Sequence, residues 1–375
     1  MIGGGPAGST LARAISHCGL HVGVLDKAHF PRQKVCAGWV TPAVMDELEI
    51  DLEDYGRDRV LQPINAFKTG QIGQTLLQSD FPGEPVSYGI RRIEFDDYLL
   101  RRSGAELLLG QPFNSMRREK GGWLVNDSIR ANLVIGAGGH FCPVARANGA
   151  RHSSEIAVTA QEVEFEMSAE QKADCPVKGE IPELFFTPDL KGYGWVFRKG
   201  DYLNIGLGRE DKQKLSAHVQ RFYKYLQAEN RISGEPSEKF KGHAYLLYHH
   251  ATRRLVEDGV LLIGDSAGLA YPQSGEGIRP AVESALMAAQ VIVDCQGDYR
   301  RENLLPYADR LEARFGRRKS TPRLTERLPA GIRQYLARLL MKNRWFSRNI
   351  LAVRWFLHAR DEPLPSSVII PRSPS

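Results

Sequence analysis

The sequence predicts an α/β fold with three parts: a Rossmann-like nucleotide-binding domain, an antiparallel-sheet domain inserted into it, and a basic helical segment at the C-terminus. Three observations carry this prediction. A glycine loop occupies residues 3–8, polar and apolar residues alternate along 157–167, and lysines and arginines concentrate after residue 314. A chain of 375 residues is too long for one small core and suits two connected domains with a terminal appendage.

The glycine loop predicts a dinucleotide site. Gly3, Gly5 and Gly8 satisfy the pattern G-x-G-x-x-G, which supplies a tight turn, a close approach of the backbone to pyrophosphate, and close helix packing. The pattern is weak alone, but the helical repeat STLARAISHCGL follows it, and the apolar strand HVGVLD then ends at Asp26. This carboxylate lies 18 residues after Gly8, where it can accept hydrogen bonds from the adenosine ribose.

Almost nothing precedes the glycine loop. A strand of about five residues normally aims such a loop at the phosphates, whereas only Met1 and Ile2 stand before Gly3. The alternatives are a working site, a chance run of glycines, and a real site with a shortened first strand. We interpret the start as truncated or misassigned, and expect an upstream extension of the native reading frame to add apolar residues and hold the nucleotide better. Equal affinity with and without the extension would contradict this.

Two later glycine-rich segments point to a flavin. In the first, the apolar strand 133–135 runs into Gly136, Gly138 and Gly139, so the backbone again approaches a bulky group. In the second, strand 260–263 leads into Asp265, whose carboxylate can accept hydrogen bonds from ribityl hydroxyls.

The same second segment continues through a loop containing Pro272, and a helix begins near Gly277. The positive end of that helix suits the electron-rich N1/C2 carbonyl edge of a reduced isoalloxazine ring. A glycine loop near the N-terminus paired with a Gly-Asp loop near residue 265 is an arrangement that nicotinamide dehydrogenases do not need.

With these motifs the chain resembles the geranylgeranyl-reductase-like family of FAD-dependent oxidoreductases, which are relatives of the aromatic hydroxylases and flavin halogenases. The resemblance covers nearly all of residues 1–315. Five segments carry it: Gly3–Gly8, FPRQKVCAGWVTP (Phe30–Pro42), R-x-x-F-D (Arg92–Asp96), GYGWVFRKGDYLNIGLG (Gly192–Gly208) and the Gly-Asp loop Gly264–Gly277.

The resemblance implies an FAD domain built from discontinuous segments and capped by the antiparallel sheet of a substrate domain. We assign residues 1–61, 88–155 and 255–312 to the FAD-binding domain, 62–87 and 156–254 to the substrate-binding domain, and 313–375 to the basic helical segment and tail.

Motifs and resemblance together give the candidate FAD-binding residues: Gly3, Gly5, Pro6, Ala7, Gly8, Asp26, Lys27, Arg32, Cys36, Ala37, Gly38, Arg92, Gly138, Asp265, Pro272, Gly275, Gly277 and Ile278. Arg92 is expected to brace the flavin through its phosphates or ribityl chain. The alternatives are a solvated arginine at a helix start, or Arg91 in the same role.

Departures from related patterns narrow the chemistry. Residues 136–139 read G-A-G-G where the aromatic hydroxylases have G-A-D-G, which weakens the hydroxylase interpretation, and the halogenase signature W-x-W-x-I-P is absent. The stretch 193–199 follows the reductase pattern Y-x-W-x-F-P-K, with Arg198 replacing the proline. Reductases often have C-G-G facing the flavin, and Ala37 replaces one of these glycines, which is expected to restrict the backbone there.

The expected reaction is hydride delivery from reduced flavin to a carbon-carbon double bond, with a nearby acid supplying the proton. The resemblance suggests polyprenyl or lipid-like substrates. Tyr193, Trp195 and Phe197 are candidates for an aromatic substrate wall, or else for ordinary strand residues that pack the core. Cys36 is a candidate proton donor or redox-sensitive gate, or else a small buried hydrophobe. Tyr193, Trp195 and Cys36 are therefore the catalytic candidates.

Two other functions remain open. A monooxygenase would consume NAD(P)H and O2, and a non-catalytic flavoprotein would act as a membrane-associated partner. The electron donor is unknown: NAD(P)H docking transiently, a ferredoxin and a quinol are the alternatives, because no second dinucleotide fingerprint is present. The histidines His243, His249 and His250 lack a third ligand in register, so we expect no metal site and interpret them as surface or core polar residues.

The net charge of +6 is concentrated near the C-terminus, where residues 314–360 contain many basic residues and one acid, Glu326. Apolar and aromatic residues recur there at helical spacing. The alternatives are helices that pack on the body with solvated arginines, or a surface that leans on an anionic membrane. No nucleic-acid motif accompanies the charge, so no nucleic acid is expected.

Five scattered cysteines without a C-x-x-C pair favour a reducing compartment. No apolar run approaches the roughly 18 residues of a spanning helix, and there is no room for a signal peptide. We therefore expect a cytoplasmic protein, peripheral to the inner face of the membrane if the basic segment binds lipid.

Overall fold

A computed structural model of the chain describes residues 1–150, 155, 157–211, 214–318 and 329–364. Its helices are α1 (Pro6–Ile15), α2 (Pro42–Glu47), α3 (Leu52–Asp58), α4 (Arg92–Arg101), α5 (Pro143–Ala147), α6 (Ala169–Asp174), α7 (Leu215–Ala228), α8 (Ile278–Asp294), α9 (Arg301–Phe315), α10 (Ala330–Leu340) and α11 (Arg344–Phe346). A π-helix follows at Ser347–Phe356, and short 3-10 turns lie at Tyr248–His250 and Gly264–Ser266.

The strands are β1 (Gly23–Asp26), β2 (Trp39–Val40), β3 (Leu61–Ile64), β4 (Ala66–Gln71), β5 (Leu77–Asp80), β6 (Ser87–Ile90), β7 (Glu106–Leu109), β8 (Met116–Glu119), β9 (Gly122–Val125), β10 (Ile129–Ala131), β11 (Val134–Gly136), β12 (Val158–Glu166), β13 (Glu183–Phe186), β14 (Gly192–Lys199), β15 (Tyr202–Arg209), β16 (Lys241–Tyr245), β17 (Val256–Glu257) and β18 (Val260–Leu262).

The predicted nucleotide-binding half contains two parallel strand pairs, and the single residue Ile2 bridges them. β1 pairs with β7 and β11 pairs with β18, both in parallel. Ile2 forms parallel bridges to Leu25 on one side and to Gly136 on the other, and its amide donates to the Ile135 carbonyl at 2.8 Å. These bonds place the glycine loop at the carboxyl edge of the sheet, where parallel α/β sheets bind ligands.

Helices α1 and α8 pack against each other on this sheet. Gly8 makes the packing of α1 possible, because a Cβ at that position would lie 2.0 Å from the Gly3 carbonyl oxygen. Most apolar residues of α1 and α8 are buried, and Leu11 and Val282 are fully buried. The helix predicted after the glycine loop and the helix predicted near Gly277 are thus both present.

A seven-stranded sheet faces this half, with strand order β16-β12-β15-β14-β13-β4-β5. All its pairs are antiparallel except β13 with β4. Strands β4 and β5 lie in the segment 62–87 that we predicted to belong to the substrate-binding domain. Strand β3 pairs instead with β6, and β6 pairs with β2, in a small separate sheet. The domain limits stated above remain predictions.

Alternation along β12 separates two faces of the seven-stranded sheet. Val163 and Phe165 pack with Phe222 of α7 in one core, whereas Ala160 packs with Trp195 in another. Glu162 shares the second face. This second face turns toward the glycine loop.

The C-terminal segment divides into two parts with different surroundings. In the π-helix, Leu351, Ala352 and Phe356 are fully buried against the aromatic face of the seven-stranded sheet. Helix α10 buries none of its own residues. The predicted packing of this segment on the body therefore fits the π-helix and does not fit α10. Residues 319–328, with Glu326, and the tail 365–375 lie outside the described residues.

None of the helices in the described ranges combines the length and the apolarity that crossing a bilayer requires.

Candidate active site

A cavity of about 610 Å³ lies between the carboxyl edge of the parallel sheet and the second face of the seven-stranded sheet. It is lined by the glycine loop, by residues 32–39, by residues 137–141, by the loop 274–278, and by side chains of β12, β13, β14 and β16. Every predicted cofactor residue lines this cavity except Gly8 and Pro272, and the predicted catalytic residues Cys36, Tyr193 and Trp195 line it too.

The N-terminus of α1 opens toward the cavity. Gly5 caps the helix without a side-chain hydrogen bond, and Pro6 occupies its first turn, so amide donors and the positive end of the helix dipole are free for an anion. Asp26 closes the adjacent edge: one carboxylate oxygen accepts from the Gly4 amide at 2.8 Å and the other from the Ala28 amide at 2.9 Å. Each oxygen keeps a second lone pair for a ribose hydroxyl.

Arg92 is anchored beneath the cavity rather than solvated. It is 8% exposed, and its guanidinium donates to both oxygens of Asp96, at 2.7 and 2.8 Å. Burial alone would lower the pKa of Arg92, but the Asp96 carboxylate outweighs it and the pKa is raised. Arg91 instead pairs with Glu94 at 2.7 Å and lies over the ring of Tyr202, away from the cavity lining.

Asp265 lies beside His243, which in turn contacts Lys34, and the sequence did not connect these three residues. His243 Nε2 lies 3.7 Å from the Asp265 carboxylate, and Lys34 Nζ lies 2.9 Å from His243 Nδ1. Burial lowers the pKa of His243, and burial together with Arg92 lowers the pKa of Lys34 to about 8. The pKa of Asp265 is lowered because the His243 contact outweighs burial.

The ring of His243 lines the cavity, and the interpretation of this histidine as a surface or core polar residue stays a prediction. His249 and His250 lie in the 3-10 turn, outside the lining. Within the described residues, no group of His, Cys, Asp and Glu side chains could hold a metal ion.

The loop 36–38 is fixed between the two halves of the cavity. The Cys36 amide donates to Glu162 Oε1 at 2.5 Å, and Asn204 Nδ2 donates to the Cys36 carbonyl at 3.2 Å. The left-handed conformation falls on Gly38, at φ +68°, where a Cβ would lie 2.3 Å from the Ile90 carbonyl oxygen. Ala37 is therefore tolerated, and the restriction expected at that position does not distort the loop.

An aromatic wall faces the glycine loop across the cavity. Trp39 stacks on Phe197 with centroids 5.1 Å apart, and Phe356 of the π-helix contacts Trp39 at 5.5 Å and Tyr193 at 5.3 Å. The Tyr193 hydroxyl donates to the Ser274 carbonyl, and Trp195 Nε1 donates to Asn204 at 2.7 Å. Tyr193, Trp195 and Phe197 line the cavity and also pack in a hydrophobic core. Their role as a substrate wall stays a prediction.

Comparison with known proteins places this cavity in context. No protein-family model matches the chain. Digeranylgeranylglycerophospholipid reductase 3 of Methanosphaera stadtmanae is 26% identical over 336 residues, covering 85% of this chain and 83% of that protein. Menaquinone reductase of Mycobacterium tuberculosis is 28% identical, covering 78% of this chain and 75% of that protein.

Among solved structures, a geranylgeranyl bacteriochlorophyll reductase-like protein from Thermoplasma acidophilum superposes with a TM-score of 0.75 at 22% identity, covering 98% of this chain and 96% of the other. The chain is related to the geranylgeranyl-reductase-like flavoproteins. A mutant of the halogenase PltM in complex with FAD has the same fold, with a TM-score of 0.66 at 16% identity over 84% of this chain and 73% of the other. The predicted resemblance to these reductases, the fold class and the FAD-dependent oxidoreductase activity are confirmed.

The residues of this reductase-like chain fit FAD. The uncapped start of α1 suits the pyrophosphate, Asp26 suits the adenosine ribose, and Asp265 suits the ribityl chain beside the start of α8. The cavity volume lies within the range of roughly 300–1,000 Å³ found for ligand sites. Bound FAD, once reduced, supplies a hydride equivalent to a substrate.

Sequence reasoning missed two buried carboxyls of this reductase-like site. Glu162 lines the cavity from β12, and burial raises its pKa to about 7. Glu276 lines it from the loop before α8, and burial raises its pKa to about 8. Glu276 stood in a quoted motif, but Glu162 carries no signal that separates it from Glu164 and Glu166 on the same strand face.

Proposed function

We propose that the protein reduces carbon-carbon double bonds in the prenyl chain of a lipid, with FAD as the source of hydride. One observation carries the proposal: the aromatic wall of Trp39, Tyr193 and Phe197 and the cofactor cradle line the same cavity. The names of the relatives, reductases of digeranylgeranylglycerophospholipid and of menaquinone, support a hydrophobic substrate class.

The residues of the wall have definite tasks in this reaction. Trp39, Tyr193, Phe197 and Leu184 give an apolar surface against which a prenyl chain can pack. The hydrogen bond from Tyr193 to the Ser274 carbonyl ties this wall to the loop before α8. The distance between prenyl chain and flavin is thereby set by the protein, and water is excluded from the reacting carbons.

The test is an anaerobic titration of the purified protein followed by its visible spectrum. Reductants of three classes, NADPH, reduced ferredoxin and a quinol, are each used to bleach the flavin band, and prenyl lipids are then added. Return of the band without oxygen supports the double-bond reductase and identifies the donor and the lipid class. Return only on admission of oxygen favours the monooxygenase, and absence of any flavin band favours the non-catalytic partner.

We further propose that α10 holds the protein on an anionic membrane at the inner face. Six large apolar residues of α10 and its continuation are 43–63% exposed: Ile332, Tyr335, Leu336, Leu339, Leu340 and Trp345. Basic residues surround them, and no acid occurs between residues 329 and 360. Such a helix suits the headgroup region, where each basic residue adds about 1 kcal/mol on anionic lipid.

Vesicle flotation tests the membrane proposal. The wild type is expected to float with vesicles containing phosphatidylglycerol and to stay down with phosphatidylcholine alone. Leu336→Glu combined with Leu339→Glu is expected to weaken binding at least about tenfold, because each leucine loses about 1.5–3 kcal/mol of burial. Gln334→Glu is the matched control, since Gln334 shares the helix side of buried Met341. Equal flotation of all variants would contradict the proposal.

A further inference from the structure

Glu162 lines the cavity with a buried carboxyl, and one of its two oxygens has no hydrogen-bond partner among the described residues. The residue is 5% exposed, and its Oε1 accepts the Cys36 amide at 2.5 Å. Its Oε2 is fully buried and has no hydrogen-bond partner among the described residues. One oxygen is therefore fixed by the backbone of the loop 36–38, and the other is left without a role inside the protein.

The cations near Glu162 are already engaged by other carboxylates. Lys199 Nζ lies 2.5 Å from Glu164 and donates to the Ile90 carbonyl at 2.9 Å, and Arg92 is held by both oxygens of Asp96. Glu162 thus forms no ion pair within the described part of the chain, which leaves burial as the main influence on its charge.

Four groups face Glu162: the Cys36 amide, Lys199 and Arg92 favour its charged form, and Glu164 disfavours it. Burial outweighs the sum of these effects and raises the pKa of Glu162 to about 7. The carboxyl is therefore mostly protonated below about pH 7. With Oε1 accepting from the backbone, the proton belongs on Oε2, which then carries an O–H that it can donate.

We propose that Glu162 is the proton donor that completes the reduction of the double bond. This inference rests on the proposed function. The hydride from reduced FAD forms a C–H bond at one alkene carbon as the π bond breaks, and the proton on Glu162 Oε2 forms the second C–H bond. The substrate gains two electrons and two hydrogens, the flavin is oxidised, and the Glu162 carboxylate takes up a proton from solvent before the next turnover.

Three other groups in the cavity could supply a proton. The Tyr193 hydroxyl donates to the Ser274 carbonyl, and burial raises its pKa well above the ordinary value, so it gives up a proton reluctantly. Cys36 Sγ accepts from the Gly38 amide at 3.4 Å. Glu276 also has a raised pKa and carboxyl oxygens without partners among the described residues, and it is therefore tested directly below.

The experiment compares Glu162→Gln with Glu166→Gln and Glu276→Gln. Glu166 is the matched control, because it lies on the same side of the same strand and is exposed. Photoreduced enzyme is mixed anaerobically with the active prenyl lipid, and flavin reoxidation is followed from about pH 5.5 to 8.5. The wild-type rate is expected to fall as pH rises through about 7. Glu162→Gln is expected to be slower by about 100-fold or more and to lack that decline.

Two measurements separate proton donation from a structural role. FAD affinity and the rate of photoreduction are expected to be unchanged in Glu162→Gln. In an infrared titration without substrate, the difference spectrum between wild type and Glu162→Gln is expected to contain a carboxylic-acid carbonyl band that disappears through about pH 7, and the difference spectrum between wild type and Glu166→Gln is expected to lack it.

Reoxidation of Glu162→Gln at the rate of Glu166→Gln would overturn the inference while leaving the reductase in place. Loss of the pH-dependent limb in Glu276→Gln and not in Glu162→Gln would also overturn it, in favour of Glu276. Failure of every prenyl lipid to reoxidise the wild type would overturn the proposed function itself, and the infrared band would still report whether Glu162 holds its proton.

Discussion

One wall of the cavity is made of backbone and the other of side chains. On the cofactor wall, the glycine loop and the start of α1 present amides, and carboxylates such as Asp26 are locked by main-chain donors. On the substrate wall, rings from three separate parts of the chain, Trp39, Tyr193 and Phe356, meet edge to face. A wall of backbone tolerates almost no added atoms, whereas a wall of rings is expected to tolerate substitution that preserves shape.

The largest effect is expected when a single methyl group is added behind the cofactor wall, at Gly8. Gly8→Ala puts a Cβ 2.0 Å from the Gly3 carbonyl oxygen, so the loop or α1 must move away from its present place. We expect FAD affinity to fall at least about 100-fold, equivalent to about 2.8 kcal/mol.

Flavin fluorescence quenching measures this affinity. Gly23→Ala is the matched control, because a Cβ there has no atom within 4 Å among the described residues. If both variants bound FAD as tightly as wild type, the claim that the backbone wall cannot yield would be wrong.

A smaller effect is expected on the substrate wall. Tyr193→Ala removes a ring that contacts Phe356 and also removes the hydrogen bond to Ser274. We expect the lipid concentration at half-maximal reoxidation to rise about tenfold, with FAD affinity unchanged.

Tyr193→Phe keeps the ring, and we expect it to stay within about threefold of wild type because it loses one hydrogen bond. Stopped-flow reoxidation over a range of lipid concentrations separates the two variants. If the two variants had the same lipid concentration at half-maximal reoxidation, the hydroxyl and not the ring would be responsible for lipid binding.

The smallest effect concerns charge on the cofactor wall. Lys34 lines the cavity and is charged below its pKa of about 8, where we expect it to favour the anionic FAD, and it loses this charge as pH rises through that value. We expect FAD affinity to fall about three- to tenfold between about pH 7 and pH 9. Lys34→Met should lower the affinity at neutral pH and flatten the profile.

Isothermal titration at several pH values gives the profile. Lys120→Met, which alters an exposed lysine in a turn, is the control and should keep the wild-type slope. A slope that persisted in Lys34→Met would assign the pH dependence to another group, with Glu276, whose pKa is raised to about 8, the next residue to change.

The contrast between the walls also explains what the sequence could predict. Backbone sites leave local signatures, because only glycine fits a turn or a close approach. Spacing therefore predicted the glycine loop and Asp26, whereas Arg32, Cys36 and Arg92 were predicted only with the help of the resemblance. The hydrogen-bonded setting of Asp26 follows directly from its place at the end of β1.

Side-chain sites leave weaker signatures. Glu162, Glu164 and Glu166 alternate identically in the sequence, and only the position of the loop 36–38 makes Glu162 the one that meets the Cys36 amide. His243 lies more than 200 residues from Lys34 along the chain, so their contact depends on the whole fold.

The C-terminal segment shows the same limit. Its apolar residues recur at helical spacing throughout, but Leu351 and Phe356 find partners in the aromatic wall whereas Leu336 and Leu339 do not. Composition is alike in the two parts, and tertiary contact alone separates them.

The contribution of Phe356 to the aromatic wall has a consequence for biosynthesis. The cofactor cradle needs residues no later than Ile278, whereas the wall needs a ring that the ribosome adds only at position 356. On the proposed function, we therefore expect a nascent chain to become able to bind FAD before it becomes able to bind a lipid.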